Sequence, residues 1–174
     1  MLTMFYLTAA IATVSAVMVV GRANAVHSLL YLVVTMMAIA VLFYLLGAPF
    51  AAALEVIVYA GAITVLMVFV IMMLNQGDAA TEQEQQWLLP RSWWGPALLS
   101  GILLVELLAM ISGDSMAVAN GVVVSAKEVG IALYGPYLLA VELASLLLMS
   151  GLVGAYHIAR SLKPNDEENE ELSP

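Results

Sequence analysis

Ala51-Ala52-Ala53-Leu54-Glu55-Val56-Ile57-Val58-Tyr59-Ala60-Gly61-Ala62-Ile63-Thr64-Val65-Leu66-Met67-Val68-Phe69-Val70, running on apolar to Leu74, holds a single charged residue, Glu55. A helix of about 20 residues crosses a hydrocarbon core about 30 Å thick. Backbone polar groups in lipid must bond within their own segment or a closed barrel, and this run lacks the alternation of a barrel strand. Residues 51–74 therefore read as a membrane-spanning helix. Four more runs of similar character lie at roughly 2–20, 28–46, 96–112 and 134–158. The expected fold is all-α, a polytopic membrane protein with five transmembrane helices in a domain over residues 1–160. Residues 161–174 form an acidic tail without aromatics, expected to be disordered and cytoplasmic.

Composition agrees. Of 174 residues, 63% are hydrophobic and 10% charged, with a mean hydropathy of +1.00. A globule this small could not bury so large an apolar fraction from water. The net charge of −8 is local, because Asp166, Glu167, Glu168, Glu170 and Glu171 lie together near the end of the chain. No basic stripe offers itself to nucleic acid. Cysteine is absent and only His27 and His157 could ligate a metal or haem through imidazole. This excludes disulfides, iron–sulfur ligation and thiolate metal sites. A bis-histidine haem would need both imidazoles facing each other at one depth, whereas each flanks an apolar run. Metal-binding and cofactor-binding residues are expected to be none.

Ala23-Asn24-Ala25 has the look of a signal-peptide cleavage site, but no basic residue precedes the first run and Arg22 adjoins the site. A retained first helix is the favoured reading. Five spans put Arg22, Arg91, Arg160 and Lys163 on one side and Lys127 on the other. The positive-inside rule makes the first side cytoplasmic, with the N-terminus outside and the C-terminus inside. Gly21–His27 and Gly47–Phe50 are hairpin-length turns, so the first three helices should be antiparallel neighbours. Asn75–Gly95 is a polar cytoplasmic loop whose Trp87, Trp93 and Trp94 suit an interfacial belt. Gly113–Leu133 is an outer loop, its Val122-Val123-Val124 patch read as a short hairpin or strand.

Acidic residues inside spans are costly and mark candidate functional positions. There are three, Glu55, Glu106 and Glu142, and the topology sets all of them in the outer half, within roughly 6–14 Å of that edge. Such carboxylates can pass protons along a water chain, or face a polar crevice or partner subunit. Glu55 and Tyr59 stand i,i+4 on one helix face. Ala60-Gly61-Ala62 follows as a small-residue zone, and Gly61 among β-branched neighbours is a candidate π-bulge or hinge. Plain helix packing through small residues is the competing use. Ser150/Gly154 and Gly151/Ala155 form small-xxx-small pairs in the last span. The 11 methionines are scattered and read as packing.

The run Leu54 to Leu66 closely resembles the third-helix signature of the chain 6 / subunit J family of proton-pumping NADH:quinone oxidoreductase, respiratory complex I. Asn24 to Leu32, Gln86-Trp87-Leu88 and the stretch from Val129 through Tyr134-Gly135-Pro136 to Ser145 resemble other parts of the family. The family has Pro where this chain has Ala25. The resemblance implies a subunit of a bacterial inner-membrane complex, embedded in lipid among other membrane subunits, near the join of the quinone-binding region and the pumping units. It implies that NADH, FMN, iron–sulfur clusters and quinone are used in other subunits. It also implies that the third helix rotates between α and π forms to gate a proton path. Glu55 and Glu142 then resemble path carboxylates, and Tyr59, Ala60, Gly61 and Val65 the conformational gate, with no catalytic centre in the chain itself. Two alternatives are a stand-alone small transporter or channel, which missing internal repeats disfavour, and a purely structural assembly subunit.

Overall fold

The computed structural model describes residues 2–22, 24–74, 90–112 and 122–161. They are helical, with no strand among the described residues: α1 Leu2–Gly21, α2 Ala25–Leu45, α3 Pro49–Leu54, a π-helix Glu55–Ile63, α4 Thr64–Leu74, α5 Pro90–Ser112, α6 Ala126–Tyr134 and α7 Leu138–Ser161. Among the described residues, five stretches are long and apolar enough to cross a membrane: Leu2–Gly21, Ala25–Leu45, Pro49–Met73, Trp93–Ser112 and Leu138–Arg160. The third is α3, the π-helix and α4 in series.

Local chemistry sets the helix ends. The Asn24 side chain caps α2, its Oδ1 accepting from the Val26 and His27 amides at 2.9 and 3.4 Å. α2 therefore begins three residues before the apolar run suggests. At its other end the Gly47 amide returns to Tyr44 O and the Ala48 amide to Phe43 O, at 3.0 and 2.9 Å. Gly47 has a φ of 88°. This Schellman closure needs a left-handed residue, which glycine supplies without steric cost. Pro49 then opens α3, where a missing amide hydrogen costs nothing. Trp93 and Trp94 are exposed at the start of the fourth span, where an interfacial belt is expected.

The chain divides into two compact units, residues 1–125 and 126–174. In the first, α2 is the centre, touching α1, α3, the π-helix, α4 and α5. The core is Ile11, Val34, Ala38, Val41, Leu45 and Leu103. Apolar side chains gain nothing from leaving lipid for one another, so such contacts rest on close van der Waals fit. Thr8, Ser15 and Ala38, all without exposure, meet that need by being small. The second unit is α6 and α7, joined through the turn at Gly135–Tyr137.

One expectation is corrected here. Val122–Val124 is neither hairpin nor strand. It is an irregular segment whose Val124 amide donates to Gly47 O at 2.8 Å, and α6 follows at Ala126. β-branched residues favour extended backbone, but this piece has found a turn carbonyl instead of a sheet partner. Ala23 of the cleavage-site pattern, the loop 75–89 with Trp87, residues 113–121 and the tail from 162 onward lie outside the described residues.

Candidate functional site

The third span starts as an ordinary helix and changes register at Glu55. Glu55–Ile63 is wound as a π-helix, in which hydrogen bonds span five residues in place of four. The local sequence favours the change. Val56, Ile57, Val58 and Ile63 are β-branched and stiff, and they weaken an α-helix slightly. Gly61 admits the wider turn, because a Cβ there would stand 3.2 Å from Val56 O. The segment closes at Thr64, whose amide reaches both Tyr59 O and Gly61 O and whose hydroxyl donates to Tyr59 O at 2.7 Å.

The extra residue per turn re-phases the buried face. In the third span Ala52, Glu55 and Thr64 are buried, and Ala60 and Gly61 are half-buried. Glu55 is 8% exposed and Tyr59 49%. The i,i+4 pairing of carboxylate and phenol on one face is therefore not found. Val65, the other gate residue expected from the sequence, is exposed.

Glu55 lies six residues into its span from Pro49, and Glu106 six residues before the end of α5 at Ser112. At 1.5 Å per residue both sit about 9 Å from their helix ends. The two short turns put the start of α1 and the start of α3 at one end of the first unit. A bond from the Thr8 hydroxyl to Glu106 Oε1, 2.7 Å long, brings the end of α5 there too. Glu55 and Glu106 thus share a layer near one end of that unit. Glu106 is 5% exposed, and its Oε2 is buried with no hydrogen-bond partner. Glu142 belongs to the second unit, on the first turns of α7, where its backbone carbonyl accepts from the Ser145 hydroxyl.

Thr8 and Ser15 are the polar positions that the charge pattern does not reveal. Their seven-residue spacing around Ile11, two helical turns, is the signal that marks them as one inward stripe. Among the described residues, no group of three metal-ligating side chains comes together. With no cysteine in the chain, an iron–sulfur cluster does not fit these residues.

Comparison with known proteins covers nearly the whole chain. The family model described as NADH-ubiquinone/plastoquinone oxidoreductase chain 6 matches residues 15–158. A relative from Pseudomonas aeruginosa named NADH-quinone oxidoreductase subunit J is 54% identical over 157 residues, 90% of this chain and 95% of the relative. One of the same name from Escherichia coli is 54% identical over 156 residues, 90% and 85%. Another from Buchnera aphidicola is 48% identical over 159 residues, 91% and 98%.

Proposed function

The chain belongs to the NADH-ubiquinone/plastoquinone oxidoreductase chain 6 family, and from that premise we propose that it is a membrane subunit of a proton-translocating NADH:quinone oxidoreductase, its third span coupling quinone reduction to proton movement. The complex lies in a bacterial plasma membrane, the N-terminus of this chain outside and its C-terminus in the cytoplasm. Residues 1–160 form its membrane domain, and 161–174 its acidic tail. NADH, FMN, iron–sulfur clusters and quinone belong to the partner subunits. This chain contributes shape change and carboxylates, with no catalytic centre of its own.

The observation that carries the coupling reading is the nine-residue π segment with Glu55 as its first residue. A coupling element must have two forms within a few kcal/mol, since a larger gap could not be crossed in both directions every cycle. A π segment inside an otherwise α-helical span meets that condition. The segment keeps a hydrogen-bonded ladder, and rewinding to α exchanges five-residue bonds for four-residue ones. Glu55 sits at the point where the register changes and serves as a path carboxylate, with Glu142 as a second. Tyr59, Ala60, Gly61 and Val65 lie within or just beyond the segment that rewinds and form the gate.

The test is to place Glu55→Gln and Tyr59→Phe in the complex and measure NADH:quinone turnover together with protons moved per electron. In complexes that assemble fully, Glu55→Gln should lower translocation several-fold. Unchanged values for both variants would make the chain a scaffold. Activity of the purified chain as a homo-oligomer, without a large assembly, would make it a transporter.

A further inference from the structure

We propose that Thr64 is a positioning residue for the register change of the third span, its hydroxyl passing from the Tyr59 to the Ala60 carbonyl so that Tyr59 O keeps a donor as the segment rewinds. The proposal rests on the register change of the preceding subsection and adds the residue that sets its speed.

The chain itself displays both ends of this exchange. In the α-helices, the Thr8, Thr13 and Thr35 hydroxyls donate to the carbonyls of Met4, Ala9 and Tyr31, each four residues back, at 2.9, 2.9 and 2.8 Å. Thr64 donates five residues back, to Tyr59 O, at 2.7 Å. Its amide straddles the carbonyl that an α-helix would use, reaching Tyr59 O on one side and Gly61 O on the other while passing over Ala60. Thr64 is thus the junction of the two registers and is 4% exposed, and in a span surrounded by lipid no water stands ready to take over a vacated carbonyl.

In the resting π form, Tyr59 O holds two donors from one residue, amide and hydroxyl. The hydroxyl bond is then the second on a carbonyl already satisfied, and contributes little. When the amide leaves for Ala60 O, the hydroxyl becomes the sole donor on Tyr59 O, and a carbonyl in hydrocarbon without a donor is costly. The hydroxyl follows afterwards to Ala60 O, the arrangement its three relatives already show. The side chain therefore stabilises the intermediate more than either end state. Removing it slows the exchange and leaves the balance between the two forms nearly untouched.

The experiment uses the assembled complex with Thr64→Val, which keeps the shape and loses the hydroxyl, and Thr64→Ser, which restores it. A 13C=18O label on the Tyr59 carbonyl reports the exchange by infrared spectroscopy, apart from any measurement of turnover. The expected result is an exchange about ten-fold slower in Thr64→Val, a resting register unchanged from wild type, and near wild-type speed in Thr64→Ser. An unchanged rate in Thr64→Val, or a resting segment wound into α, overturns the assignment of Thr64. Slowed exchange with undiminished proton translocation upholds Thr64 and removes the coupling reading. A wild-type label that never leaves its resting band removes both.

Discussion

The Thr8 hydroxyl donates to Glu106 Oε1 at 2.7 Å and joins the first and fourth spans across 98 residues of sequence. The same hydroxyl has a second acceptor in Met4 O at 2.9 Å, whereas Glu106 Oε2 is buried without a partner. The dependence is therefore one-sided. Thr8→Val strips the carboxyl of its donor and should cost about 1–3 kcal/mol. Glu106→Leu removes the demanding group and leaves Thr8 bonded within its own helix, so it should cost far less or stabilise. Thermal unfolding of the two variants in detergent gives the order, and a larger loss in Glu106→Leu would contradict it.

Gly95 is a seat for an aromatic ring. A Cβ there would clash with the Tyr31 hydroxyl and stand 3.1 Å from its Cζ, and Tyr31 is 3% exposed. Gly95→Ala should destabilise by roughly 1–3 kcal/mol through overpacking. In a Tyr31→Phe background the penalty should shrink, giving a coupling of at least about 0.5 kcal/mol in the double-mutant cycle. Additive losses would mean that the ring simply moves aside.

Gly61 separates tolerance from obstruction. Alanine asks the Val56 carbonyl, 3.2 Å from the new Cβ, to yield by a small fraction of an ångström. Gly61→Ala should leave proton translocation within about two-fold of wild type. Valine adds a branched, stiff side chain in a segment that must rewind, and should lower translocation per electron by about five-fold or more. A Gly61→Val complex that assembles and pumps normally would remove this residue from the gate.

Asn24 tests the entry to α2. Asn24→Ala loses the acceptor for two amides and should cost about 1 kcal/mol. Asn24→Asp keeps that acceptor, puts a carboxylate oxygen where the buried Nδ2 has no partner, and places negative charge at a helix N-terminus. It should be neutral or stabilise by a few tenths of a kcal/mol. Denaturation of the two variants side by side distinguishes them.

What the sequence makes legible here follows from what lipid enforces. Residues 51–74 show their span directly, because backbone groups in hydrocarbon have few ways to be satisfied. Gly61 among β-branched neighbours marks the place where the helix can depart from α geometry. The extent of that departure is hidden, since the choice between four- and five-residue bonds turns on small differences at Thr64 and Gly61. For the same reason the α-helical spacing of Glu55 and Tyr59 misleads about their shared face. Val122–Val124 misleads differently, its β-branched character satisfied by the Gly47 carbonyl far along the chain. Glu106 is visible as a charge in a leucine-rich run, but its partner Thr8 is not, because no periodicity links positions in different helices.

The short links of the first three spans also bear on how the protein is made. Three residues between α1 and α2, and three between α2 and α3, leave no room for another helix to slip between neighbours. The Asn24 cap and the Gly47 closure are complete within a few residues of their own positions. Pairing of α1 with α2 thus needs nothing that the ribosome has yet to deliver, and contacts so close in sequence form fast. The bond between Thr8 and Glu106 must wait for the fourth span. During synthesis the first helix spends that interval with its hydroxyl turned to Met4 O, so a nascent chain halted after α4 hides no unmet polar demand at Thr8.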